Sequence, residues 1–177
     1  MKIEKMANIA VILVAAVFIG NTFYDRVVPR VEPGPNPPER MMGKTLHLPS
    51  SVSTGTRVTV VLFVSPRCHF CTESMPFYTR LASLSARGSN FFRVLAITPE
   101  GAGWTEDGKK YFTDHGVRVD GVAQMQFSAV GVPATPTLAL LDSSRRVVKA
   151  WTGKLPGDKE EDVIKAIENL CADCKGA

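Results

Sequence analysis

The sequence has no basic patch interleaved with aromatics and no strong excess of one charge: 21 Lys and Arg stand against 17 Asp and Glu, a formal net charge of +4. Much of that excess is N-terminal, in Lys2, Lys5, Arg26, Arg30, Arg40 and Lys44. A nucleic-acid surface gathers its cations on one face, so that class is excluded. There is no internal repeat, which excludes solenoid and propeller architectures. Cysteine is scarce, yet all four fall in C-x-x-C pairs: Cys68 with Cys71, and Cys171 with Cys174. The other proportions, 45% hydrophobic and 21% charged over 177 residues, are those of one globular domain with extra segments.

Those extra segments lie at the start. Lys2 and Lys5 precede a mostly apolar run from Ala7 to Tyr24, interrupted only by Asn8, Asn21 and Thr22. The length is at the short end of the ~17–25 residues that span a bilayer. Ala15-Ala16 falls inside the run, too early for cleavage, and no clean A-x-A site follows Gly20. Residues 1–26 therefore read as an uncleaved signal-anchor, one N-terminal transmembrane helix whose basic start stays cytoplasmic. The expected location is the cytoplasmic (inner) membrane, single-pass, with the remaining chain on the extracytoplasmic, periplasmic side. Residues 27–44 read as a linker, because Pro29, Pro33, Pro35, Pro37 and Pro38 deny it helix and ladder. Extended as polyproline II, it would reach up to ~50 Å. The folded domain is expected over 45–177.

The chain is organised around Val58 to Tyr78. It opens as a continuous apolar, β-branched run, the pattern of a strand buried on both faces. The run breaks at Ser65-Pro66. Cys68-His69-Phe70-Cys71 follows, and then helical spacing through Met75, Phe77, Tyr78 and Leu81. A dithiol thus sits where a strand hands over to a helix. The free N–H groups of a helix start favour a thiolate over a thiol. Arg67, directly before Cys68, acts in the same direction, and His69 beside it is a second candidate for tuning the thiol. By this spacing Cys68 is the exposed attacking thiol, and Cys71, one turn in, resolves the mixed disulfide. Taken alone, a C-x-x-C can also be a structural disulfide or half of a zinc site.

This stretch resembles the active site of the thioredoxin superfamily, nearest in style to its membrane-anchored thiol:disulfide oxidoreductases. Pro76, five residues after Cys71, matches the kink of the family's active-site helix. Gly131-Val132-Pro133-Ala134-Thr135-Pro136-Thr137, before the apolar run Leu138 to Leu141, resembles its Thr-Pro signature. The resemblance covers roughly Leu46 to Leu170. It implies an α/β, thioredoxin-like central mixed sheet flanked by helices. It implies a cis bond at Thr135-Pro136, with both residues forming a substrate groove that faces the dithiol. It also implies an enzyme needing no cofactor or metal, since the dithiol carries both electrons. Its partners would be protein thiols or disulfides of the cell envelope and an upstream membrane electron donor or acceptor. Three features depart from the family: Arg67 stands where Trp is common, Leu62 where thioredoxin buries an acid, and His69-Phe70 between the cysteines. Two alternatives have their own patterns. A peroxiredoxin-like peroxide reductase needs Thr three residues before its cysteine, where Ser65 stands. A thioredoxin-fold copper-binding assembly protein uses C-x-x-x-C, and His115 lies outside the region of its distant histidine.

Further elements complete the expectation. Leu46 to Val52 reads as a short edge strand bearing His47. Phe91 to Thr98 reads as a buried strand parallel to the first. A helix capped by Thr105 should stop at Gly116, and Gln124 to Val130 should form a short helix or turn. A hairpin of Thr137 to Asp142 and Val147 to Thr152 leads to a last helix, Asp158 to Leu170. Cys171 and Cys174 then follow it as a possible second disulfide, closing the helix end or relaying electrons to the first pair. With the last helix expected across the sheet from the active-site helix, a zinc site joining both pairs is not expected. Glu73 is read as a solvated helix carboxylate.

Overall fold

The computed structural model describes residues 38–49, 52, 58–87, 92–101 and 104–173. The expected membrane segment, the linker through Pro37 and Cys174 lie outside the described residues. No helix among the described residues is long and apolar enough to cross a membrane.

Five strands form one sheet: β1 (Val58–Phe63), β2 (Phe92–Pro99), β3 (Gly121–Met125), β4 (Thr137–Leu141) and β5 (Val147–Thr152), in the order β3-β2-β1-β4-β5. The first three run parallel, and β4 and β5 are antiparallel to their neighbours. Among the described residues five α-helices accompany them: α1 (His69–Glu73), α2 (Met75–Arg87), α3 (Trp104–Asp114), α4 (Phe127–Val130) and α5 (Gly157–Asp173). This is the expected mixed α/β sheet flanked by helices.

Every residue of β1 is buried, because the strand lies mid-sheet with a core on each side. Val58, Val60, Leu62 and Val64 face one core, shared with Cys71, Tyr78 and Leu81, with Phe112 of α3, and with Val163 and Ile167 of α5. Val61 and Phe63 face the other, with Met41, Leu46, Leu48, Val52 and, from α4, Phe127. The alternation follows from the period of two in a strand.

Several expectations are corrected here. The described residues of Leu46 to Val52 form no strand. The chain just before them runs along the start of β5, with Gly43 and Lys44 hydrogen-bonded to Val147 and Thr45 bridged to Arg146, and Leu46, Leu48 and Val52 instead plug the second core. Upstream, Met41 is fully buried in that core, within the stretch read as linker. Gly121–Met125 is an edge strand where none was expected. Helix α3 starts at Trp104, so Thr105 lies inside it; its end at Gly116, with φ of 71°, is as expected. Helix α5 runs on to Asp173, so Cys171 lies within it, buried, rather than after it. Finally, α5 shares a core with α2 on the same face of the sheet, and Arg80 of α2 pairs with Glu161 of α5. The two helices do not pack across the sheet from one another.

Candidate active site

The sheet brings two distant loops to one end. Phe63, the last residue of β1, pairs with Thr137, the first of β4. The chain leaving β1 therefore meets the chain entering β4, and residues 64–71 lie beside residues 131–136. The Thr135-Pro136 bond is cis, as the resemblance implied, and Pro136 is buried.

After β1, Ser65 to Cys68 form a turn closed by the Cys68 N–H donating to the Ser65 carbonyl at 2.9 Å. Cys68 has extended backbone angles, φ −93° and ψ 110°, and stands at the N-cap of α1. Its sulfur plays the part that a Ser or Asp oxygen plays elsewhere, accepting from the Cys71 N–H at 3.3 Å. Helix α1 stops at Ser74, two residues before Pro76. The ring of Pro76 has no N–H to return to the Thr72 carbonyl, so the helix restarts as α2. Ser74 reinforces the break by donating its hydroxyl to the Phe70 carbonyl at 2.8 Å.

The two sulfurs differ in environment. Cys68 is partly exposed, Cys71 fully buried, and both are thiols. Burial pushes the Cys68 thiol up, but the Cys71 thiol, the Thr135 side chain and the N–H groups of Cys71 and Phe70 outweigh it. The net effect holds Cys68 below the ordinary thiol range. Burial pushes Cys71 up to about 12, and its own hydrogen bond to the Cys68 sulfur adds to this. One thiol is thus poised to ionise and the other to keep its proton. The Cys68 thiol donates to the Thr135 carbonyl at 3.2 Å.

Arg67 is exposed beside Cys68. The His69 ring is also exposed, with Nε2 3.0 Å from Glu73. The other Glu73 oxygen accepts from Lys154 at 3.0 Å, and that contact, ahead of the His69 charge, holds the Glu73 carboxyl below its usual range. Phe70 is 56% exposed, one of two large apolar side chains left in water among the described residues, at the lip of the site. His47 lies exposed on the segment before β1, and His115 is exposed with Nδ1 at 2.8 Å from the Tyr111 carbonyl. Among the described residues, no three His, Cys, Asp or Glu side chains gather to hold a metal.

Cys171 is far from this chemistry. Helix α5 begins at the site's end of the sheet, after β5. At 1.5 Å per residue, Cys171 lies ~20 Å further along. Three residues at the site were not singled out from sequence. Lys154 reaches Glu73 from the β5–α5 loop. Gly153 of the same loop donates its N–H to the Pro136 carbonyl at 2.7 Å. Tyr111 of α3 shares a hydrogen bond with Thr72 at 3.1 Å, and burial, ahead of the charges of the dithiol, raises its phenol. These are long-range contacts, and no local motif announces them.

No protein-family model matches the chain, and no curated protein sequence matches it. Solved structures do. A thiol-disulfide isomerase from Corynebacterium glutamicum superposes with a TM-score of 0.58 at 15% identity, over 73% of this chain and 96% of that one. A secreted thiol-disulfide isomerase from the same organism gives 0.53 at 18%, over 66% and 71%. A DsbF homologue from Corynebacterium diphtheriae gives 0.52 at 18%, over 64% and 72%. The fold is that of these thioredoxin-like proteins.

Proposed function

We propose that this protein is a thiol:disulfide oxidoreductase that exchanges the Cys68 and Cys71 dithiol with cysteines of other proteins. The observation that carries the reading is the split between the two thiols: an accessible Cys68 held low, and a buried Cys71 pushed up to about 12. In the reducing direction the Cys68 thiolate attacks a substrate disulfide. A mixed disulfide forms and one substrate sulfur leaves as thiolate. Cys71 then loses its proton and attacks the Cys68 sulfur, releasing the second substrate thiolate. Two electrons pass to the substrate and the enzyme is left as a disulfide. The same steps reversed oxidise a dithiol.

In this reading Arg67 and His69 assist the Cys68 thiolate, and Thr135 and Pro136 receive an extended substrate segment through backbone hydrogen bonds. Exposed Phe70 adds apolar surface beside the attacking sulfur, suited to unfolded or loosely held chain. The N-terminal segment tethers the domain to the membrane, facing the periplasm, where envelope protein thiols and a membrane electron partner meet it. Cys171 takes no part in exchange.

The test is catalysis of insulin disulfide reduction, together with equilibration against glutathione. Catalysis by the native chain and none by Cys68→Ser is expected. A potential near about −270 mV would assign it to reduction and one near about −120 mV to oxidation. Absence of exchange in both assays would overturn the proposal.

A further inference from the structure

Three consecutive carbonyls of the loop before β4 have three different donors. The Ala134 carbonyl accepts from the Thr137 hydroxyl at 2.8 Å, and the Pro136 carbonyl accepts from the Gly153 N–H at 2.7 Å. Both donors are present whatever the redox state. The Thr135 carbonyl, between them, accepts from the Cys68 thiol at 3.2 Å. That donor is conditional. Reducing a disulfide adds two electrons and two protons, and below the Cys68 pKa one of those protons is held as the Cys68 S–H. In the disulfide form the sulfur has no hydrogen, and Thr135 loses this donor. A buried or half-buried carbonyl left without a donor is costly, and a substrate N–H offers a replacement.

We infer that the Cys68 thiol hydrogen gates the Thr135 carbonyl, so that an extended peptide binds the disulfide form of the protein more tightly than the dithiol form. This rests on the oxidoreductase reading and specifies which redox state takes the peptide. The substrate class that follows is an extended dithiol segment, bound by the oxidised protein and let go once its electrons have been accepted. Returning the S–H to Cys68 restores the internal bond and displaces the peptide N–H. By linkage, a peptide that prefers the disulfide form must also make that form harder to reduce. One hydrogen bond corresponds to a preference of about fivefold, and fivefold converts to a potential lower by about 20 mV for a two-electron couple.

Two variants isolate the hydrogen from the chemistry. Cys68→Ser retains a donor facing Thr135, whereas Cys68→Ala removes it, and neither can exchange disulfides. The probe is a capped peptide, Ala-Val-Ser-Val-Thr-Ala, with serine in place of the substrate cysteine. Its affinity is read by NMR titration of each full-length variant in mildly acid buffer. Binding to Cys68→Ala about fivefold tighter than to Cys68→Ser is expected. The Thr135 carbonyl carbon, labelled with ¹³C, should show a hydrogen-bonded shift in Cys68→Ser and in the reduced native chain, and lose it in Cys68→Ala and in the oxidised chain. Equal affinities, tighter binding by Cys68→Ser, or binding to neither overturns the inference. Insulin reduction and equilibration with glutathione by the native chain are measured separately. Exchange accompanied by equal affinities refutes the gate alone, while absence of exchange refutes the reading beneath it.

Discussion

The Cys71 amide donates to the Cys68 sulfur at 3.3 Å, so the residue with the buried thiol also caps and acidifies the exposed one. The pair is built by a single helical turn, and its asymmetry follows from which residue is outside the helix and which is inside it.

Alkylation should discriminate between the thiols by pH. Iodoacetamide reacts with thiolate, so labelling of Cys68 should rise through a midpoint below the free-thiol value of about 8.5. Cys71 should remain unlabelled until pH approaches about 12. The signs for stability are opposite. The depressed Cys68 stabilises the fold above the unfolded thiol's pKa and loses that contribution as pH falls through its folded value. The raised Cys71 stabilises below the unfolded pKa and loses its contribution as pH rises towards about 12. Mass spectrometry of labelled peptides checks the order. Cys71 reacting first would reverse the assigned roles.

Cys68→Ser should reduce exchange to background, and Cys71→Ser should accumulate mixed disulfides. Without the buried thiol, nothing resolves the complex formed by Cys68. Non-reducing electrophoresis reads the adducts, and their absence from Cys71→Ser under turnover would count against Cys71 as the resolving thiol.

Cys171→Ala should leave exchange unchanged and cost about 1 kcal/mol, the scale of deleting one buried heavy atom from a packed core. The side chain is 9% exposed and joins the core shared by α2 and α5. Urea unfolding measures the cost. Lost activity at unchanged stability would point to a relay through this sulfur.

Lys154→Met should move the Glu73 titration up, towards the ordinary carboxylate range, because Lys154 is the main group holding it down. The effect on melting should be small, since exposed pairs contribute little. Carboxyl NMR through an acid titration reads Glu73 directly, and an unmoved midpoint would mean that the Lys154 contact does not persist in solution.

How much could be read in advance depended on how local the determinants were. The strand before Cys68 was legible because Val58 to Val64 is one β-branched, apolar run, and only a strand buried on both faces calls for that. The pair at Thr135-Pro136 was legible through resemblance. Strand β3 was not, because Gly121–Met125 buries only Ala123 and carries no alternation strong enough to mark an edge strand. Leu46 to Val52 misled in the opposite direction. Its apolar residues read as a strand, but they serve to plug the second core, and the pairing with β5 lies just before them, at Gly43 to Thr45. The end of α5 was hidden because Cys171-Ala172-Asp173-Cys174 reads as a motif of its own. Cys171 falls four residues after Ile167 and continues its buried face. Lys154, Gly153 and Tyr111 reach the site across the fold, and such pairings leave no mark on the residues beside them.

The position of β1 in the middle of five strands carries a consequence for motion. Its backbone groups are locked by ladders to β2 and β4, and each of those has a further neighbour. Amides of Val60 to Leu62 should therefore exchange with solvent only when the whole domain opens. Helix α1 lacks that protection, being a five-residue turn bounded by the Ser74 break. Uncovering Cys71 for its own attack can then proceed by fraying α1 while the sheet stays intact. The two thiols hang from the least mobile part of the domain by one of its shortest helices, so the access of Cys71 and the stability of the fold can vary independently.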